Sequence, residues 1–112
     1  MSALKPPSKE LARKILAEVG FHDRLIGYRL HHRIGPAPVT LYSFEEVVGF
    51  LTDASAQLDH RELTTWVREV ISDPELAGEI KTIAEGNMNI LEKTRRIGKL
   101  MGIRLIQCRR VV

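Results

Sequence analysis

Four histidines are the residues that most invite a metal-binding interpretation: His22, His31, His32 and His60. His22 precedes Asp23, and a His-Asp pair with further histidines is a pattern seen in metal-dependent phosphohydrolases, because neutral imidazole is a common metal ligand. His31 and His32 are adjacent in a predicted strand, so their side chains leave it on opposite faces and do not meet at one ion. We therefore predict no bound metal and no cofactor, and keep a small metal protein or enzyme as a second alternative.

The carboxylates are the next candidates for chemistry, because acid–base catalysis needs paired carboxyl groups with differently tuned pKa values. They fall at predicted helix starts and on polar helix faces, where the helix dipole accounts for them. No nucleophile-elbow, Walker or dinucleotide-binding glycine pattern occurs in the sequence. Cys108, the single cysteine, is expected to be a small buried residue. We expect a non-enzymatic protein without catalytic residues.

Charge is distributed unevenly along the chain. Residues 1–33 hold seven basic and three acidic residues, residues 34–85 hold three and ten, and residues 86–112 hold seven and one. A net charge of +3 therefore conceals a basic, acidic, basic arrangement. The basic parts are predicted either to neutralise the acidic helices or to form a surface for an anionic partner, and we favour neutralisation.

The candidate anion- or partner-binding residues come from the two basic segments. They are Arg29, Arg33, Lys93, Arg96, Lys99, Arg104, Arg109 and Arg110. Nucleic-acid binding through this basic strand and helix patch is the first alternative function. The chain carries no aromatic pair, GXXG loop or zinc-finger spacing that would identify a known nucleic-acid module. The preferred function is a non-enzymatic binding or regulatory module that contacts a protein partner or a second copy.

Five helices are predicted from N-cap residues followed by apolar residues at helical spacing. The first is predicted to end at Gly20 and the last at Gly102. A sharp turn is expected at Ser72-Asp73, where Pro74 takes the first position of the fourth helix. The five caps are Ser8, Ser43, Asp59, Asp73 and Asn89.

Two β-strands are predicted to complete the fold. Residues 24–34 alternate, with Ile26, Tyr28 and Leu30 on the buried face, and residues 103–110 form the pairing strand. Residues 35–38 are expected to break the first strand, and 39–42 to form a short extended piece. The predicted fold is α+β, with about five helices on a small two- or three-stranded antiparallel sheet formed by 24–34 and 103–110. An unpaired edge on so small a sheet is a ready dimerisation surface.

The composition bounds the class of protein. The chain has 112 residues, of which 44% are hydrophobic and 28% charged, typical of one small globular domain spanning residues 1–112. Neither the start of the chain nor any later segment approaches the roughly 20 apolar residues of a membrane span. We expect a cytoplasmic protein with a protein partner or homodimer and no membrane association.

The helix start Leu41–Leu51 and the run Trp66–Ala77 are the most distinctive patterns in the middle of the chain. On these patterns, about residues 39–85 resemble a family of small uncharacterised archaeal and bacterial domains. The family shares a Ser-Leu-Glu-Glu-like helix start and a W-x-R/x-D-V-x-x-D-x-E-L-A core. Glu69 stands where that pattern has Asp, and residues 59–63 only approximate the family's His-rich segment. The resemblance implies a compact helical core and assigns no catalytic role.

Overall fold

The computed structural model describes residues 4–31 and 33–112. Residues 1–3, part of the chain start that is predicted not to span a membrane, lie outside these ranges. His32, a predicted strand residue and candidate metal ligand, lies outside them as well. The described elements are α1 (Lys9–Leu16), a 3-10 turn (Phe21–Asp23), β1 (Leu25–His31), β2 (Gly35–Leu41), α2 (Phe44–Phe50), β3 (Ala56–Gln57), α3 (His60–Trp66), a π-helical turn (Val67–Ile71), α4 (Pro74–Ala84) and α5 (Ile90–Val111).

The predicted α+β class is confirmed. Five helices pack on an open three-stranded antiparallel sheet of order β2-β1-β3 in the described part of the chain. β1 pairs with β2 from Leu25–Leu41 to His31–Gly35, and with β3 at only two positions. Gly35, with φ at 75°, supplies the positive φ with which the chain enters β2.

The five predicted caps are confirmed as hydrogen bonds. Each cap side chain accepts from a backbone N–H in the first turn of its helix: Ser8 in α1, Ser43 in α2, Asp59 in α3, Asp73 in α4 and Asn89 in α5. These bonds satisfy donors that a helix start leaves without intrahelical partners. Local sequence therefore determines where the helices begin.

The interior lies between the helices and one face of the sheet. α1, α2 and α4 pack against α5, and α3 packs against α4. The larger fully buried apolar side chains come from all five helices and the π-helical turn: Ile15, Phe44, Val47, Leu63, Val67, Ile71, Leu76, Ile80, Ile97 and Met101. Apolar burial on this scale is the main stabilising contribution in so small a chain.

The predicted strand at residues 103–110 is wrong, because α5 continues without interruption to Val111. Its buried residues Ile97, Met101, Leu105 and Cys108 recur at helical spacing through the region predicted as a strand. Gly102 does not end the helix, because the apolar stripe on its inner side goes on. Sustained packing at a helical period outweighs the weak β preference of the isoleucines.

The longer pairing partner of β1 is β2 rather than residues 103–110, and β2 contains the predicted break at residues 35–38. Pro36 and Pro38 stand opposite Leu30 and Tyr28. The Leu30 N–H points away from β2, donating to the Ser55 carbonyl at 3.1 Å. The ring nitrogens of the two prolines therefore point to the outer edge of β2, where a strand tolerates proline. The predicted dimerisation edge lacks N–H donors at these two positions.

α1 is shorter than predicted, ending at Leu16 rather than at Gly20. Beyond it, Glu18 forms a bridge to Ser43, and the Val19 N–H donates to the Tyr42 carbonyl at 2.7 Å. The chain leaves the helix because these tertiary hydrogen bonds replace helical ones. Across residues 4–31 and 33–112, no helix has the length and apolar character required to cross a bilayer.

Candidate functional site

The apolar side of β1 faces away from the core, which reverses the sequence prediction. Tyr28 is 45% and Leu30 52% exposed, and Ile26 is half-buried, whereas Leu25 and Gly27 are buried. Because side chains alternate along a strand, the first three share one face and the other two share the opposite face. Ile26, Tyr28, Leu30, Pro36 and Pro38 form a surface that we call the open sheet face.

Close packing at Gly27 accounts for this orientation. A Cβ at Gly27 would lie 2.6 Å from Phe50 Cε2, so only glycine lets the Phe50 ring approach the strand this closely. Next to it, the Arg29 guanidinium lies 5.6 Å from the centre of the Phe50 ring. Arg29 Nε is 2.9 Å from Asp53 Oδ2, so the two side chains form an ion pair. The Arg29 Nε–H nevertheless has no hydrogen-bond partner among the described residues. The inner face of the strand is thus matched to α2 and the loop after it.

The Asp53 side chain is fixed by its own turn. Its Oδ1 accepts hydrogen bonds from the backbone N–H and the hydroxyl of Ser55, each at 2.8 Å. Those bonds, with a smaller effect from Arg29, lower the pKa of Asp53. The carboxylate therefore stays charged opposite Arg29, and it holds the loop that leads into β3.

A groove of about 530 Å³ runs along the open sheet face. Ile26, Tyr28 and Leu30 form one side, and Ile90 and Leu91 at the start of α5 line the groove as well. Ile90 and Leu91 are 68% and 63% exposed. Asp59 and Glu62 are also among the lining residues, so the groove combines apolar and acidic residues.

His60 is buried beside this groove and contacts α5. Its Nε2 lies 3.0 Å from Thr94 Oγ1. Because the Thr94 hydroxyl donates its one hydrogen to the Ile90 carbonyl, Nε2 of neutral His60 is the donor in this contact. Burial lowers the pKa of His60, Lys93 lowers it further and Asp59 opposes them. The ring therefore joins α3 to the start of α5 in its neutral form.

Arg104, one of the eight predicted contact residues, is not on the surface. It is only 1% exposed, and all five of its N–H donors are used. Nε and Nη2 bind the Asp73 carboxylate at 2.8 and 3.3 Å, and Nη2 also binds Glu75 at 2.9 Å. Nη1 donates to the Lys5 carbonyl and to Gln107. Arg104 therefore anchors the chain start and α4 to α5.

Further predicted contact residues are engaged with the protein itself. Arg109 binds Glu45 at 2.9 Å, and Lys93 donates to the Ala84 carbonyl at 2.7 Å. Arg29 is paired with Asp53. Together with Arg104, the Arg109 and Arg29 ion pairs follow the pattern in which basic segments neutralise acidic ones. Arg33 is exposed, in the turn between β1 and β2.

The remaining three predicted contact residues lie on the outer side of α5. Arg96, Lys99 and Arg110 are exposed, and Ile103 and Ile106 lie between them at 43% and 51% exposure. Their spacing of three and four residues places all five on one side of the helix, opposite the buried Ile97 and Met101. We call this set the α5 stripe: Arg96, Lys99, Ile103, Ile106 and Arg110.

The candidate metal ligands and the cysteine do not form a common site in the described residues. No group of three or more His, Cys, Asp or Glu side chains that could hold a metal ion occurs within residues 4–31 and 33–112. His22 and His31 are exposed. Cys108 is buried on the inner side of α5, where burial raises the pKa of its thiol. The described residues therefore offer two surfaces, the open sheet face and the α5 stripe.

These features define an α+β domain with an uncovered apolar sheet face and a basic outer helix. No family model, no curated protein and no solved structure matches the chain. Inference about function therefore depends on the open sheet face and the α5 stripe.

Proposed function

We propose that this protein is a non-enzymatic interaction module that forms a homodimer through the open sheet face. The observation that carries the proposal is the outward orientation of Tyr28 and Leu30, which are about half exposed. Contiguous exposed apolar surface of this kind marks interaction sites in folded proteins. The exposed prolines of β2 extend the apolar area beyond the groove, which favours a protein surface over a small ligand.

A second copy is the occupant that fits this face best. The side chains on the outer sides of the three strands are apolar or uncharged: Ile26, Tyr28, Leu30, Pro36, Pro38, Thr40 and Gln57. Packing the face on its own copy therefore brings no like charges together at the centre. Two such sheets pack at about 10 Å separation, as in sheet sandwiches. A symmetric interface of this type requires a self-complementary patch.

Charges at the two ends of the face favour an antiparallel arrangement. Arg33 is exposed in the β1–β2 turn, and Glu62 lines the groove near Ile26 at the other end of β1. A two-fold axis perpendicular to β1 brings the turn of one copy over the strand start of its partner. Arg33 then approaches the partner's Glu62 region, adding electrostatic complementarity to apolar burial.

The prolines of β2 explain why the face, and not the edge, is the proposed contact. Pairing along the outer edge of β2 needs N–H donors at Pro36 and Pro38, which have none. Nucleic-acid binding through the predicted basic strand and helix patch has less support. Arg29, Arg104 and Arg109, three of its residues, are paired with carboxylates of the chain itself.

The test is the solution mass by light scattering over a wide range of protein concentration. The wild-type chain is expected to have the mass of two chains, and Leu30→Glu to weaken the dimer about 100-fold or more, because a charge would be buried without a partner. Ile103→Glu, which puts the same charge on the α5 stripe, is the matched control and leaves the dimer intact. Circular dichroism verifies that both variants fold.

Two outcomes overturn the proposal. A wild-type chain that stays monomeric at the highest concentration shows that the face does not bind a second copy. A dimer that survives Leu30→Glu but dissociates in Ile103→Glu shows that a different surface forms it.

A further inference from the structure

The α5 stripe is a second surface, separate from the open sheet face. Arg96 to Arg110 spans about 21 Å at 1.5 Å per residue. Its members follow the three- and four-residue spacing with which a helix presents one side to a partner helix. The stripe points away from the core, while Ile90 and Leu91 at the helix start line the groove of the sheet face.

Arg96, Lys99 and Arg110 are engaged with the protein less fully than Arg104, the buried basic residue of α5. Within the described residues, neither Lys99 nor Arg110 has an ion-pair partner. Arg96 contacts Glu92 at 3.2 Å, but that carboxylate is shared with Arg95 at 2.8 Å. The inner residue Arg104, by contrast, is fully engaged with Asp73 and Glu75.

The chemistry of the stripe selects the kind of partner. Two exposed isoleucines lie at its centre, with cations before and after them. Against a second α5, these cations would face cations of like sign, so self-association through the stripe is disfavoured. Against a phosphate backbone, Ile103 and Ile106 would find no apolar contact, and the stripe offers no aromatic ring on which a base could stack.

We propose that the α5 stripe binds an acidic amphipathic helix of a partner protein. Apolar side chains of that helix cover Ile103 and Ile106, and its flanking carboxylates pair with Arg96, Lys99 and Arg110. This is the helix–helix mode in which an apolar seam gives affinity and flanking charges select the partner. The contact does not depend on the proposed dimer, because the two surfaces are separate.

The binding test uses the full-length chain and a fluorescent synthetic peptide of about three heptads, with leucine at the seam and glutamate beside it. Fluorescence anisotropy is expected to show at least about tenfold tighter binding of this peptide than of a scrambled peptide or one with lysine in place of glutamate. Ile106→Ser and Lys99→Glu are each expected to weaken binding about tenfold.

Two controls separate this contact from general charge and from dimerisation. Lys81→Glu changes the net charge as Lys99→Glu does, but on the exposed side of α4, and it leaves peptide binding unchanged. Leu30→Glu, the dimer variant, also leaves it unchanged. The two proposals can therefore fail independently.

Mixed-sequence RNA and duplex DNA oligonucleotides are titrated under the same conditions. Equal affinity for the glutamate, lysine and scrambled peptides overturns the proposal. Binding of an oligonucleotide that weakens steeply with salt, without preference among the peptides, also overturns it and assigns the stripe to nucleic acid. Loss of peptide binding in Lys81→Glu as large as in Lys99→Glu shows that net charge alone is responsible.

Discussion

β1 and α5 both turn an arginine inward and apolar side chains outward, but they differ in how completely the arginine is satisfied. Arg104 in α5 is almost fully buried, and five hydrogen bonds surround its guanidinium. Arg29 in β1 is 40% exposed at its side chain and meets one carboxylate, which is 38% exposed. A cation enters the interior only where acceptors replace its water, so the depth of each arginine follows its number of partners.

The outward-facing residues of the two elements differ from the two arginines in having no partner within the described chain. Tyr28 and Leu30 on β1, and Ile103 and Ile106 on α5, remain about half exposed, with no element of residues 4–31 and 33–112 covering them. Inward charge is compensated within the chain, whereas outward apolar surface is not. That asymmetry is the reason for assigning contacts with other molecules to these two surfaces rather than to the engaged arginines.

Removing each arginine in turn tests whether burial and the number of partners set its contribution to stability. Arg104→Ala leaves the Asp73 carboxylate buried without its counter-charge, and we expect a loss of about 3–5 kcal/mol in the free energy of unfolding. Arg29→Ala removes a partly exposed ion pair, for which about 0–1 kcal/mol is expected. Urea unfolding followed by circular dichroism, at equal protein concentration, measures both values.

Arg104→Lys provides a milder variant if the alanine variant does not fold. It keeps the charge but loses the planar fork that binds Asp73 and Glu75 together, so its stability should lie between those of wild type and Arg104→Ala. Equal losses for Arg29→Ala and Arg104→Ala would contradict the view that burial and partner number set the difference.

The inner face of β1 is tested next by Gly27→Ala. The new Cβ would lie 2.6 Å from Phe50 Cε2 and 3.2 Å from the Gln57 carbonyl oxygen, so the ring must move. We expect a destabilisation of about 1–3 kcal/mol, as for other overpacked cores, measured by urea unfolding.

Gly49→Ala is the matched control, because its added Cβ, on the exposed side of α2, has no described atom within 4 Å apart from its chain neighbours and its own helix backbone. It is expected to stabilise the protein by up to about 1 kcal/mol through helix propensity. Gly27→Ala should cost less free energy of unfolding in a Phe50→Leu background than in the wild-type chain. A neutral Gly27→Ala would refute the close approach of the ring as the reason for the strand's orientation.

The fold could be predicted from the sequence where local chemistry decides it. Ser43 and Asp73 each bind a specific backbone N–H in the next turn, so the positions of α2 and α4 followed from short patterns. Residues 103–110 could not be assigned in this way, because their β preference competes with packing of Leu105 and Cys108 against the rest of the chain. A tertiary effect decided between the two.

The candidate site was less accessible to prediction. Alternation identified β1 correctly, but it does not say which face meets the core, and the buried face is the one with Gly27 and Arg29. The prolines at positions 36 and 38 carried a usable signal, because their two-residue spacing is compatible with one side of an edge strand. The inward direction of Arg104 depended on the placement of Asp73, which is 31 residues away in the chain.

The smallest expected effect concerns His60, which joins α3 to α5 beneath the groove. The pKa of His60 is lowered in the folded protein, so the unfolded chain binds more protons as the pH falls below about 6.5. The stability associated with the neutral ring is therefore fully present above that pH and is lost as the pH falls through the folded pKa. Lys93 opposes protonation, and Asp59 favours it.

Urea unfolding at about pH 7.5 and about pH 6.0 measures this effect, because ordinary carboxyl groups stay mostly charged in that range. The wild-type chain is expected to lose more free energy of unfolding between the two values than His60→Gln, which has no imidazole to titrate. His22→Gln, which removes an exposed imidazole, is the matched control. If His60→Gln keeps the wild-type pH dependence, the buried ring is not the titrating group, and the contact with Thr94 does not require a neutral histidine.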